Sequence, residues 1–317
     1  MIGRTLKRNI SYLDKILISR IFDYPLIVAF ELMAFCSLDC EYCIQKRIGW
    51  NENRKKIRMS FDDFRKIIDD IHWHVKRIAF NGGEPLLYSE IGKVFAYARK
   101  KRIETLVPTN GQFMENRLND IIQNPCDVLV VAYEHPSENK SSYEHALKDL
   151  IKHRKVKPEI VLQMVVTKQS VDKIDQFWAD CKRLKVDYGS IKSMGIWNEA
   201  DEEYKQLMID KYLLTKDQHE LSQYNLKDGE IIFERKPGDC PAYDRRQVSI
   251  RSDGAISPCW PWHKGGKTFG NAISGNLSKI WRSKKYRQFR HKMKHEWADT
   301  LCRQCFMYGS VKDTRKI

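Results

Sequence analysis

Residues 25–43 read PLIVAFELMAFCSLDCEYC, an apolar, β-prone run that ends in three cysteines spaced C-x3-C-x2-C. A stretch of Leu, Ile, Val and Phe broken only by Glu31 is the pattern of a strand covered on both faces, as in a parallel sheet. Cys36, Cys40 and Cys43 follow at once, so they fall in the loop beyond the strand's carboxyl end, where α/β barrels keep their sites. Working outward, the same kind of run recurs at 76–81, 103–108, 127–133, 159–167 and 187–193. Between these runs lie helix-period segments at 60–73, 89–101, 113–122, 141–153 and 171–184. Ser60, with Asp62 and Asp63 just behind it, marks one helix start. Six strands joined by five helices predict right-handed crossovers and a parallel sheet. Six units are too few for the closed eight-fold barrel, so the fold class is α/β with a partial (β/α)6 TIM-like barrel over 25–195.

The flanks differ from this pattern. Residues 6–22 form a basic amphipathic pattern with Leu6, Ile10, Leu13, Leu17 and Ile21 on one side. This predicts an N-terminal helix within 1–24 packed by that row on the barrel, with a membrane-surface role as the alternative. Residues 196–239 are charged and helix-prone, a helical linker that ends in the turn Lys236-Pro237-Gly238-Asp239. Residues 240–317 form a small unit of their own: a β-hairpin at 247–250 and 255–257 around Arg251-Ser252-Asp253-Gly254, then a basic helix near 277–295.

Composition narrows the function classes. With 42% hydrophobic residues in 317, the chain can build a core. No apolar run reaches the roughly 18–20 residues that cross a bilayer, and the start lacks an h-region and cleavage site. The expected location is cytoplasmic. The net charge is +15, and residues 240–317 alone hold 17 Lys and Arg against 5 Asp and Glu. That basic region suits an anionic substrate. No helix-turn-helix, RNA-binding sheet motif or zinc-finger spacing promotes nucleic acid as a partner. Nine cysteines without an export signal point to metal binding or chemistry rather than disulfides.

Three thiolates close together suit a metal centre, yet structural zinc asks for a fourth ligand. A four-iron cluster on three cysteines leaves one iron open to a chelating amine and carboxylate. The run Cys36-Ser37-Leu38-Asp39-Cys40-Glu41-Tyr42-Cys43 resembles the signature of the radical S-adenosylmethionine (SAM) superfamily. Asn81-Gly82-Gly83-Glu84-Pro85 resembles that family's GGEP segment, and Thr109-Asn110-Gly111 its TNG segment. The resemblance implies a [4Fe-4S] cluster on Cys36, Cys40 and Cys43, with Tyr42 near the SAM adenine. It also implies Gly82, Gly83, Glu84 and Pro85 at the SAM amino group, and Thr109, Asn110 and Gly111 near SAM. Strand four departs from the family's Ser-x-Asp-Gly-Pro run: here it reads Ala132-Tyr133-Glu134-His135-Pro136, and Ala132 lacks the expected hydroxyl. Glu134, His135 and Lys192, at strand ends, are the candidates for proton transfer or substrate contact.

The remaining cysteines split in two. Cys240, Cys259, Cys302 and Cys305 give C-x18-C-x42-C-x2-C, a spacing that by itself also allows zinc. The stretch from Val248 to Cys259, with Phe269-Gly270-Asn271 and residues 277–283, resembles the auxiliary SPASM domain of radical SAM enzymes or its shortened Twitch form. This implies a second [4Fe-4S] cluster, fully ligated by the four thiolates and suited to relaying an electron. Cys126 and Cys181 read as buried structural thiols, which speaks against an epimerase. The resemblance implies a 5′-deoxyadenosyl radical enzyme fed by an external electron donor such as flavodoxin or ferredoxin. The leading expectation is two-electron oxidation of a small polar or carbohydrate-like substrate. A peptide-modifying maturase, nucleotide or tRNA modification, and a non-enzymatic electron carrier or metal-stapled binding protein are the alternatives.

Overall fold

The computed structural model describes residues 12–40, 43, 56–133, 140–167, 170–193, 226–227, 230–231, 240–244, 246–259, 268–296, 298, 302 and 312–317. Its centre is the parallel ladder that the apolar runs predict. Strands β1 (Ile27–Glu31), β2 (Arg77–Asn81), β3 (Glu104–Thr109), β4 (Val128–Ala132), β5 (Glu159–Val166) and β6 (Tyr188–Ser193) lie side by side in chain order. Preceding β1 is helix α1 (Tyr12–Ile21); between the strands run α2 (Phe61–Ile71), α3 (Ile91–Lys100), α4 (Met114–Gln123), α5 (Lys140–His153) and α6 (Ile174–Leu184). The segment read as one helix over 171–184 opens with a 3-10 turn, Val171–Lys173.

Side-chain alternation gives this sheet two different faces. On β5, Ile160, Leu162, Met164 and Val166 are buried in the helix-side core. Phe30 meets Phe64 of α2 edge-on at 5.2 Å, and Phe80 meets Phe95 of α3 at 6.1 Å. The residues between them, including Glu31, Asn81, Gln163, Ser190 and Lys192, therefore face the barrel lumen. Helix α2 shows why the covering layer forms: Phe64, Ile67, Ile68 and Ile71 recur at helical spacing, and the Ser60 hydroxyl accepts the Asp63 N–H at 3.0 Å.

The C-terminal region extends this sheet at both edges. Strand β9 (Gln247–Ile250) pairs in parallel with β1, and β10 (Ile256–Ser257) returns antiparallel, completing the predicted hairpin. At the opposite edge β11 (Lys312–Lys316), which no sequence pattern announced, runs antiparallel to β6. The expected basic helix is two helices, α8 (Leu277–Trp281) and α9 (Lys284–His295), after the short α7 (Pro241–Asp244). Ser283 breaks the run, because its side chain accepts the Tyr286 N–H and starts α9 anew. Of the region read as a helical linker, 196–239, the described residues are β7 (Leu226–Lys227) and β8 (Glu230–Ile231), a short antiparallel pair.

Polar groups seat α8 and α9 on the barrel. Asp70 of α2 accepts from the Asn276 side chain and the Leu277 N–H. His74 is fully buried between the Pro25 carbonyl at 2.9 Å and the Ser278 hydroxyl at 3.0 Å. Burial holds its pKa at about 3. The neutral ring donates from Nδ1 to Pro25 and accepts at Nε2 from Ser278, the tautomer its partners require. Arg246 and Arg290 both reach Asp23 at 2.6 Å.

Helix α1 reverses the expected packing. Leu13, Leu17 and Ile21 are 70%, 56% and 70% exposed, whereas Lys15 and Ser19 are buried. The lower end of the sheet offers carbonyls that need a donor: Lys15 Nζ donates to Val75 at 3.0 Å and Arg102 at 2.8 Å, and the Ser19 hydroxyl to Tyr24 at 2.7 Å. Satisfying these groups outweighs burying the apolar row. Burial, reinforced by Arg102, lowers the Lys15 pKa to about 8. Leu6 and Ile10 lie outside the described residues.

Candidate active site at the strand ends

Three motifs far apart in sequence are tied into one unit. The loop after β2 lies against the loop after β1: Gly83 N–H donates to Met33 and Glu84 N–H to Phe35, both at 2.9 Å. A Cβ on Gly83 would stand 1.8 Å from the Phe35 oxygen and displace backbone, and one on Gly82, at φ +97°, would be strained and stand 2.5 Å from Glu31 Cγ. Glu84, 2% exposed, accepts from Leu86 N–H at 3.0 Å and the Thr109 hydroxyl at 2.7 Å through Oε1. Its Oε2 accepts the Asn110 N–H at 2.8 Å. Burial raises the Glu84 pKa, while the bonds from Asn110, Thr109 and Leu86 pull it back toward the ionised form. Glu84 is thus the clasp between the GGEP and TNG segments.

The same loop reaches the first cysteines. Asn110 Nδ2 points to Cys36 Sγ at 3.7 Å, its Oδ1 accepts the Gln112 N–H at 2.9 Å, and the Ser37 hydroxyl donates to Gln112 Oε1 at 2.6 Å. The sequence assigns no role to Ser37, inside the cysteine run, or to Gln112, just past the TNG segment. Cys36, Cys40 and Cys43 are half-buried, and Cys43 N–H closes a turn onto the Cys40 carbonyl at 3.0 Å. Burial pushes the Cys36 thiol up to about 11, and the charges of Glu84, Cys43 and Cys40 push the same way. Thiolates crowded with a carboxylate need positive charge nearby, which an iron–sulfur cluster supplies when it binds. Among the described residues, no three His, Cys, Asp or Glu side chains stand close enough to clasp one metal ion. The thiolates of a cluster, each on a different iron, stand farther apart than the ligands of a single ion.

The structure therefore brings Cys36, Cys40 and Cys43 together with Gly82, Gly83, Glu84, Pro85, Thr109, Asn110 and Gly111 at one end of the barrel. Lys192 is half-buried on the lumen face of β6, opposite Lys312 in the ladder to β11. Ala132 ends β4 in register with Gln163, whose Nε2 donates to the Ser190 hydroxyl at 3.4 Å. Tyr42, Glu134, His135 and Cys305 lie outside the described residues. Cys126 and Cys181 are fully buried, with burial pushing Cys181 up to about 12.

The second cysteine set has a different setting. Cys259, Phe289 and Met293 form a small buried apolar cluster, and Cys240, Cys302, Tyr243 and Phe269 pack against it. Phe269 lies 4.3 Å from Tyr286 and 5.2 Å from Phe289, ring to ring. Three of the four expected ligands thus share one apolar environment.

The model of the radical SAM superfamily matches residues 30–208, and that of an iron–sulfur cluster-binding domain, SPASM, matches residues 240–306. Among solved structures, Streptococcus suis SuiB bound to S-adenosylmethionine is 17% identical, with a TM-score of 0.64 over 91% of this chain and 76% of that one. The anSMEcpe structure with bound AdoMet is 17% identical, with a TM-score of 0.61 over 89% of each chain. BtrN in complex with AdoMet and 2-DOIA is 14% identical, with a TM-score of 0.53 over 86% of this chain and 87% of that one. At these identities the neighbours share the open barrel fold. More than half the chain fits one family model, and within that span the thiols, glycines and Glu84 meet at the strand ends, so this protein belongs to the radical SAM superfamily, with SAM and two iron–sulfur clusters as its cofactors.

Proposed function

We propose that the protein oxidises an unactivated C–H centre of a small, polar, hydroxyl-bearing substrate by two electrons. When bound, SAM and the first cluster supply a 5′-deoxyadenosyl radical that removes the hydrogen atom, and the auxiliary cluster supplies an acceptor for the second electron. The chain's own part is to hold, shield and deprotonate. Cys36, Cys40 and Cys43 anchor the first cluster, and Gly82, Gly83, Glu84, Pro85, Thr109, Asn110 and Gly111, with Tyr42, cradle SAM. The lumen side chains of β3 and β4, Leu106, Pro108, Val128, Val130 and Ala132, offer the reactive centre no acidic hydrogen. Lys192, Glu134 or His135 takes the proton that leaves as the carbonyl forms.

The observation that carries this reading is the packing of Cys240, Cys259 and Cys302 around one apolar cluster. With Cys305, the matched domain has four thiolates, enough to saturate a cluster and leave it to electron transfer. After anaerobic reconstitution with a reductant, wild-type protein given its substrate should form 5′-deoxyadenosine and oxidised product in equal amounts. Product without 5′-deoxyadenosine would refute the reading. A peptide substrate is the second reading, favoured by the exposed row Leu13, Leu17, Ile21 and Phe22, which offers an apolar dock beside the barrel. Under it, Leu17→Glu abolishes turnover of a peptide and leaves SAM binding intact.

A further inference from the structure

Both amide atoms of Asn81, Nδ2 and Oδ1, are shut off from solvent and have no hydrogen-bond partner among the described residues. Such a group is rare in a folded protein and asks for a reason. Its position supplies one. Ile78 and Phe80 of β2 are buried on the helix side, so Ala79 and Asn81 face the lumen, with Asn81 the last residue before the glycine loop.

Neither ladder neighbour pairs with it. In β1 the partner is Glu31, fully buried, whose Oε1 already accepts from Ser252 N–H at 3.0 Å and the Ser252 hydroxyl at 2.6 Å. In β3 the ladder ends where Ala79 pairs with Leu106, and the same register carried on by two residues would set Pro108 next to Asn81. Proline has neither a backbone donor nor a polar side chain. On the far strands the same lumen face carries Gln163, Ser190 and Lys192, with Gln163 and Ser190 joined at 3.4 Å. An orphaned donor and acceptor, set side by side across from further polar side chains, describe one wall of a binding site.

We propose that Asn81 is a substrate contact and a determinant of specificity: its Nδ2 donates to one hydroxyl of the substrate while its Oδ1 accepts from the neighbouring hydroxyl. The assignment rests on the oxidation of a hydroxyl-bearing compound proposed above and narrows that class to vicinal polyols. In the free protein the amide is left unpaired; with substrate bound it is paired. A leucine of similar size removes the orphaned polar atoms and the contact together.

The test uses the anaerobically reconstituted protein and its Asn81→Leu and Asn81→Asp variants. Without substrate, Asn81→Leu should raise the midpoint of thermal unfolding by about 2–4 °C, the shift that relief of one buried unpaired group gives a chain of this size. SAM affinity by equilibrium dialysis should stay within about twofold (under 0.5 kcal/mol). Two vicinal polyols, myo-inositol and ribitol, serve as probes. At least one should change the rate of 5′-deoxyadenosine formation in the wild type, and Asn81→Leu should lose that response while Asn81→Asp keeps part of it. A lower unfolding midpoint for Asn81→Leu would mean that the amide is already paired. A tenfold loss of SAM affinity would make Asn81 a SAM contact. A wild type indifferent to both polyols would overturn the ligand class. Protein that forms no 5′-deoxyadenosine under any condition would instead defeat the functional reading, while the melting and SAM-binding measurements would still report on Asn81.

Discussion

The two cysteine sites solve opposite problems with the same ligand. Around Cys36 polar groups gather: Asn110 points at the sulfur, Gln112 holds Ser37, and two glycines let the next loop pack close. Around Cys259 the neighbours are Phe289, Met293, Phe269 and Tyr243, and the thiol is 8% exposed. A cluster that must bind and release a charged ligand needs room and hydrogen bonds. One that only takes and passes an electron is better kept dry and fixed. Under the proposed function, the surroundings, more than the thiols, divide the labour.

The largest expected effect comes from breaking that division directly. Cys36→Ser should reduce 5′-deoxyadenosine formation to background, whereas Cys259→Ser should retain 5′-deoxyadenosine and lose the oxidised product. Equal loss of both in the two variants would mean that the sites do not act separately. Next in size is Glu84→Gln, which turns an acceptor into a donor against three existing donors. We expect a stability loss of about 2–4 kcal/mol in urea unfolding, from donors left unsatisfied, together with weaker SAM binding. The second site should keep its iron content, which would confine the damage to the first.

The smallest effect tests how the second site is seated. His74 joins the barrel to α8 in its neutral form, with a pKa of about 3 against an ordinary 6.5. As pH falls below 6.5 the unfolded chain takes up a proton that the folded one refuses, so stability is lost progressively between 6.5 and 3. One such group gives a slope of up to about 1.4 kcal/mol per pH unit. Urea unfolding at stepped pH should show this slope in the wild type and a shallower one in His74→Gln. A wild-type profile flat across this window would show that His74 is not the group that couples α8 to acid.

Much of this arrangement is legible in the sequence, and the remainder fails for identifiable reasons. The six barrel strands match their apolar runs because buried parallel strands are hydrophobic throughout. The cysteine, GGEP and TNG segments are local, and their positions follow once the strands are placed. The junction of β9 with β1 is not local: Gln247 pairs with Ile27, and no periodicity encodes that partner. The amphipathic row in α1 correctly announces a helix but misstates its inward face, because hydropathy cannot register that Val75 and Arg102 present carbonyls needing a donor. Asn81 could have been noticed as a polar residue ending an apolar strand, although only the register shows that both neighbours leave it unanswered.

Strand β11 has a further consequence. Without it, β6 would end the open barrel with a row of unpaired backbone groups, a template on which any extended chain can add. The strand that occupies this position reads Lys-Asp-Thr-Arg-Lys, charged at every residue but Thr314. It fills the vacant edge and then discourages the next arrival, while the opposite margin ends in the two-residue β10. An incomplete barrel is thereby kept from growing into an intermolecular sheet at the concentrations at which it is made.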